Sequence, residues 1–157
     1  MVNYEKNKRT TILQVIPSLG TGGTEIETLE IAMAISRAGL RSIIVSSTGD
    51  QREPVEGVEL HYLPLKTKNP LQMVKNIHLL KDFVLREKVN IIHARSRAPA
   101  WSAYKATRLV DIPFVTTYHA AYKSRSHLKT LYNSVMIRGD RIIAISNFIY
   151  GHILEKY

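Results

Sequence analysis

Six short strand-like runs, most of them carrying isoleucine or valine, punctuate the chain at 11–16, 42–47, 59–64, 90–94, 113–118 and 141–146, and most of the gaps between them hold longer amphipathic segments. Few folds can absorb that rhythm. The runs are nearly continuous in apolar character, apart from the alternating third, as expected of strands buried on both faces. The intervening segments repeat at helical spacing: Ile26, Leu29 and Met33 share a face before Gly39, and Met73, Ile77, Leu80 and Val84 share another after Asn69-Pro70. Glycine suits the end of a helix and proline its first turn, so helices are expected over 24–38 and 70–88. Further helices are expected over 99–110, over 126–138 and from 147 onwards. Strands alternating with helices give the predicted fold class: α/β, a Rossmann-like doubly wound, mostly parallel sheet with helices on both faces.

The first run leads into the densest glycine cluster, Thr11-Ile-Leu-Gln-Val-Ile-Pro-Ser-Leu-Gly20-Thr-Gly22-Gly23-Thr24-Glu25. Glycines at 20, 22 and 23 let backbone N–H groups approach an anion and permit positive φ angles. Thr24 and Glu27 have capping-box spacing, so a helix is expected to start there with its positive dipole end toward the loop. Gly20, Gly22, Gly23 and Thr24 therefore read as a phosphate or diphosphate cradle. A plain strand-to-helix turn is the alternative. The spacing is neither G-x-G-x-x-G nor G-x-x-x-x-G-K-[ST], which argues against a standard dinucleotide fold and a P-loop.

With 157 residues and 45% hydrophobic content, one core and one domain are expected, spanning 11–157 behind a polar tail at 1–10. The longest apolar run covers only 31–35, far from the roughly 20 residues of a membrane-spanning helix. Cysteine is absent, which removes disulfides, thiolate catalysis and cysteine metal sites and fits a cytoplasmic setting. The net charge of +9 favours anionic ligands or an anionic membrane surface, with its densest stretch at Lys123-Ser-Arg125-Ser-His127-Leu-Lys129. Nucleic acid is the weaker partner, because no zinc, helix-turn-helix or aromatic RNA-binding pattern accompanies the charge.

Ligands of open α/β sheets bind at the carboxyl ends of strands. That rule selects 18–25, 46–49, His93 to Arg97, His119 with Tyr122 and Lys123, and Ser146-Asn147. Thr48-Gly49-Asp50 has the composition of a turn, and Ser146-Asn147 that of a helix cap. His93 sits in an Ile-Ile-His-Ala context that suits a hydrogen-bonded core histidine. His119 follows an apolar strand and is trailed by Tyr122, Lys123 and Arg125, so it reads as a ligand-contacting or catalytic group held neutral by nearby cations. Trp101, beside Arg95 and Arg97, reads either as packing or as the wall of a sugar or anion site. No histidine pair has zinc spacing, no G-x-S-x-G elbow is present, and no two carboxylates fall at successive strand ends. No metal is expected.

Taken in order, the opening 12–25 segment, Ile91-Ile-His-Ala-Arg-Ser-Arg-Ala-Pro-Ala-Trp101, Pro113-Phe-Val-Thr-Thr-Tyr-His119 and Arg141-Ile-Ile-Ala-Ile-Ser146 resemble the N-terminal domain of a retaining glycosyltransferase of the GT-B type, family four. The resemblance covers nearly the whole chain. It implies two Rossmann-like domains across a cleft, with the N-terminal one binding a glycan or lipid-linked acceptor and the C-terminal one a nucleotide-sugar donor. It also implies Gly22 and Gly23 near the donor diphosphate, His119 near the transferred sugar, and Arg95, Arg97, Tyr118, Tyr122 and Lys123 on the acceptor side. It implies no metal and no cofactor beyond the donor substrate.

Nothing in the sequence corresponds to the second domain of that resemblance. Stabilising a departing nucleoside diphosphate is the main electrostatic need in sugar transfer, so the chain alone is expected to be inactive. A separate C-terminal half is one expected partner, and self-association through an unpaired cleft face is another. A non-catalytic module for anions or glycans, a degenerate fragment and a basic protein of membrane surfaces or nucleic acid remain the alternatives.

Overall fold

The computed structural model describes residues 9–48, 55–67, 69–122 and 126–157. Its elements run β1 (Thr11–Val15), α1 (Gly23–Arg37), β2 (Arg41–Ser46), β3 (Val58–Tyr62), α2 (Pro70–Glu87), β4 (Ile91–Ala94), α3 (Arg97–Val110), β5 (Phe114–Tyr118), α4 (His127–Asn133), β6 (Arg141–Ala144) and α5 (Asn147–Lys156). A 3-10 turn over Ser134–Ile137 extends α4, completing the helical stretch expected at 126–138. The strands form one sheet in the order β3-β2-β1-β4-β5-β6. Every neighbouring pair is parallel, so the fold is α/β and Rossmann-like, with a sheet that is parallel throughout.

Strand pleating explains how one sheet serves two cores. Leu13 pairs with Ile43 on one side and Ile92 on the other. Together with Val15 and Val45 they face Leu80, Phe83 and Val84 of α2 and Ala100, Ala103 and Ala106 of α3. Successive strand side chains point to opposite faces, which sends Ile16 and Ile44 to the other side, against Leu29 and Ala32 of α1. Small alanines on α3 let it lie close to the strands. Each fully buried large side chain here contributes about 1.5–3 kcal/mol relative to exposure.

The helix ends follow their local chemistry. Asn69 accepts from the Leu71 N–H and Pro70 opens α2. Ser146 does the same for α5, accepting from Ile149. Gly39 closes α1 at φ +82, a conformation that an L side chain seldom adopts. Helix α1 begins differently from the expected capping box. Its cap is Gly22, with no side-chain cap bond, and Thr24 lies inside the first turn. The Thr24 carbonyl receives the Thr28 hydroxyl at 2.6 Å. Glu27 is drawn elsewhere by a buried cation, described below.

Charged clamps hold the amino ends of the strands, opposite the expected ligand face. Arg41, at the start of β2, spans Glu59 at 2.6 Å and Glu87 at 2.8 Å. Those hydrogen bonds hold both carboxyls below their usual range. Asp140 accepts from Arg108 at 2.5 Å and from the Phe114 N–H at 2.8 Å. Among the described residues, no helix is long and apolar enough to cross a membrane.

The Arg108 and Phe114 hydrogen bonds hold the pKa of Asp140 below its ordinary 3.8. A carboxylate shifted in that direction stabilises the fold above its unfolded value and loses the contribution as pH falls through the folded one. Asp140→Asn is therefore expected to cost about 1 kcal/mol at pH 7, a modest figure because the ion pair is half exposed. Urea denaturation from pH 7 to pH 2 should show the gap between wild type and variant closing only below about pH 4.

Candidate functional site

The strand order reverses between β1 and β4, and the loops leaving their carboxyl ends diverge there to open a crevice. The glycine loop after β1 is fixed at its start by backbone bonds from Ile16 to Val45, from Leu19 to Thr48 and from Ser47 to Pro17. Buried Leu19 anchors it into the α1 core. None of Gly20, Gly22 and Gly23 has a positive φ, contrary to expectation, so left-handed geometry is not what glycine supplies here. Gly22 is extended at φ −73, ψ 163. A Cβ at Gly22 would meet the Glu25 carboxylate, which folds back over the helix start. The N-terminus of α1 is thus already faced by an acidic group of its own first turn. At Gly20 and Gly23 a Cβ would meet nothing within 4 Å.

A chain of polar groups runs beneath this loop. Gln14, buried in β1, donates to the Thr28 carbonyl at 3.0 Å and accepts from Arg95 Nη1 at 3.1 Å. Arg95 directly follows β4 and its side chain is 0% exposed; Nη2 lies 2.5 Å from Glu27 Oε1. The other Glu27 oxygen lies 3.3 Å from His119 Nδ1, just past β5. One carboxylate therefore joins helix α1 to the ends of two strands. Burial pushes His119 below its ordinary value; Glu27 pulls it up and Arg95 opposes that pull. His119 Nε2 is buried without a hydrogen-bond partner, and protonating it there would be costly. His93 is the core histidine its context implied: Nε2 lies 2.7 Å from Thr117 Oγ1, and burial pushes the ring down to about 3.

Arg97 has a different environment from Arg95, two residues away. Its Nη1 donates to Asn133 Oδ1 at 2.7 Å, and its guanidinium lies 4.1 Å from the centre of the Tyr122 ring and 5.8 Å from that of Tyr132. Burial raises both phenols above their usual range, so they stay neutral beside it. Tyr118 is fully buried beneath Tyr122, ring centres 4.5 Å apart. Trp101 is a packing residue whose indole N–H donates to the Tyr132 carbonyl at 3.0 Å. Arg97 also lines a cleft of about 860 Å³ with Ser96, Lys66, Lys129 and Tyr132.

The structure brings the glycine loop and His119 together through Glu27, and puts Arg97 and Tyr122 on a neighbouring wall. It separates Arg95 and Tyr118 from that surface: both side chains are enclosed, with Arg95 ion-paired to Glu27 and bonded to Gln14 inside the fold while its Nε has no hydrogen-bond partner among the described residues. Lys123, with Gly49, Asp50 and Arg125, lies outside the described residues. Lys66 and Asn133 had no distinguishing sequence signal, and the capping-box spacing of Glu27 pointed to a helix cap and not to Arg95. A clue to the buried polar cluster was Gln14 within an apolar strand, which needs buried polar partners.

Comparison with known proteins bears on the whole chain. The sequence profile described as Glycosyltransferase Family 4 matches residues 21–157. A glycosyltransferase from Rickettsia africae ESF-5 is 35% identical, with a TM-score of 0.76 over 95% of this chain and 40% of that one. Sucrose-phosphate synthase from Thermosynechococcus elongatus shares the fold at 14% identity and TM-score 0.74, over 94% of this chain and 45% of that one. MnaA of S. aureus, solved with UDP, shares it at 14% identity and TM-score 0.64, over 94% and 40%. The chain thus spans less than half the length of each of these structures. No curated protein sequence matches it.

Two measurements check this geometry. Glu27→Ala leaves buried Arg95 without its counter-ion and is expected to cost about 2–3 kcal/mol in urea denaturation, less than the 3–5 of a fully buried pair because Glu27 is 37% exposed. Adding Arg95→Met should recover most of the loss. His93 and His119 both resist protonation when folded, so the unfolded chain binds more protons below its ordinary histidine value of 6.5. Stability is then complete above about pH 6.5 and falls as pH drops toward 4, by at most about 1.4 kcal/mol per pH unit for each histidine. His93→Gln should flatten that slope.

Proposed function

Because the chain belongs to glycosyltransferase family 4, we propose that it is the acceptor-binding half of a retaining, nucleotide-sugar-dependent glycosyltransferase of the GT-B type. The observation that carries this reading is the convergence of the glycine loop and His119 at the sheet's reversal point, locked together by Glu27. In this reading Gly20, Gly22, Gly23 and Thr24 face the donor diphosphate and His119 faces the transferred sugar. Glu25 swings off Gly22 as the diphosphate arrives, since two anions cannot share one helix start. Arg97 and Tyr122, with Lys123, take the acceptor, and Arg95 and Tyr118 support them from inside. The UDP seen with MnaA, which shares this fold, agrees with a nucleotide diphosphate donor. Neither a metal nor another cofactor takes part.

The donor-holding half completes the enzyme, whether on a longer chain or as a separate one. Its docking surface is the β6 edge and α5. Ile142 and Ile143 of β6 and Ile145 just after it are 40–49% exposed, and Phe148 of α5 is 73% exposed. Such an apolar patch is unusual on a domain that works alone. The net charge of +9 suits work at the cytoplasmic membrane face on an envelope or lipid-linked acceptor.

Sugar transfer from a panel of nucleotide sugars, measured with the chain alone and with a C-terminal half joined or added, tests the reading. Transfer is expected only with the second half. His119→Ala should then reduce kcat by about 100-fold or more, the scale of losing one group that acts on the transition state. Gly23→Ala, where a Cβ meets nothing in the fold, should leave stability unchanged or raise it by up to about 1 kcal/mol while weakening donor binding. Full activity in both variants would reject the assignment.

A further inference from the structure

Arg95 and Arg97 leave the same loop, yet only Arg95 is neutralised. Its charge is answered inside the fold by Glu27. Among the described residues, no carboxylate pairs with Arg97, Lys66 or Lys129, and none of those lining the 860 Å³ cleft is acidic. Arg97 is nonetheless held still. Asn133, fully buried, accepts a hydrogen bond from one of its N–H groups through a neutral oxygen, and the guanidinium sits over the Tyr122 and Tyr132 rings. A guanidinium has five N–H donors, so one bond to a neutral amide leaves most of the fork and the whole charge uncommitted. Fixing the side chain in advance removes much of the entropy cost that a mobile surface arginine would pay on binding. The cleft has the volume of a small-molecule site, and it mixes the three cations with the Ser96 hydroxyl and an apolar side of Met73 and Leu128.

We propose that this cleft is a phosphate receptor, with Arg97 as the recognition residue and Lys66 and Lys129 flanking it, and that the acceptor of the transfer reaction enters as a phosphorylated molecule. The second clause rests on the acceptor-half reading above; the first does not. A planar, pre-positioned guanidinium matches a phosphoryl group in bidentate fashion, and the two ammonium groups offset the remaining charge. Phosphorylated sugars and phosphorylated lipids share that headgroup. The hydroxyl side of the cleft favours one and the apolar side the other.

The test is an NMR titration of the full 15N-labelled chain at constant ionic strength with inorganic phosphate, glucose 6-phosphate, glucose and butyl phosphate. Saturable shifts centred on the Ser96, Arg97 and Ala98 amides are expected with the three phosphates, and glucose should bind at least tenfold more weakly than glucose 6-phosphate. Arg97→Ala should weaken phosphate binding at least tenfold and Arg97→Lys by less. Lys105→Ala, an equal charge loss at an exposed site on the body of α3, should change nothing. The wild-type comparison of glucose with its phosphate decides the matter even if Arg97→Ala unfolds. Tighter glucose 6-phosphate or tighter butyl phosphate supports the proposal and assigns the sugar or the lipid source respectively. Non-saturating shifts, equal binding of glucose, or an equal effect of Lys105→Ala would overturn it. That failure would still leave the acceptor-half reading to the transfer assay, which scores sugar transfer to any acceptor.

Discussion

A single carboxylate sets the arrangement on which the functional face depends. Glu27 reaches from α1 to Arg95 behind β4 and to His119 behind β5, so the helix that follows the glycine loop cannot shift without moving the strand-end histidine. The cation it neutralises is fully enclosed, which makes the pair expensive to break and comparatively indifferent to salt. Gln14 adds a neutral tie from the middle of β1 to the same arginine. The result is a rigid corner at the point where the sheet changes direction, where open α/β folds place their ligands.

Charge is divided between the two ends of the sheet according to use. At the amino ends, Arg41 and Arg108 are matched with carboxylates and serve as clamps. At the carboxyl ends, Arg95 is matched, whereas among the described residues no carboxylate pairs with Arg97, Lys66 or Lys129. Part of the +9 net charge is therefore a local field over the cleft as well as a property of the whole surface. Burial disfavours the charged form of His93 and His119, so neither adds to that charge near neutral pH.

The fold was legible because its signal is local and repeated. Continuous apolar runs, proline and asparagine before α2, serine before α5 and glycine after α1 each act within a few residues, and the elements they marked are present with small shifts at their ends. The site was legible only in outline. The rule placing ligands at strand ends selected the loop, His119 and Arg97, which do lie past the carboxyl ends of β1, β5 and β4. Thr24 and Glu27 have capping-box spacing, but spacing cannot register the buried arginine that competes for the glutamate. Positive φ was inferred from three glycines, none of which adopts it.

Sequence by itself thus determined the parallel α/β class, the order of its elements and the family, because periodicity and terminal signals are encoded within each segment. Tertiary structure alone decided which of the described charges are paired inside the fold and which are not. Arg95 and Arg97 are the same residue type in the same loop, and Glu27 and Asn133, which separate their roles, lie 68 residues before the first and 36 residues after the second. Whether an arginine meets a carboxylate or an amide depends on packing over that distance, and no local pattern records it.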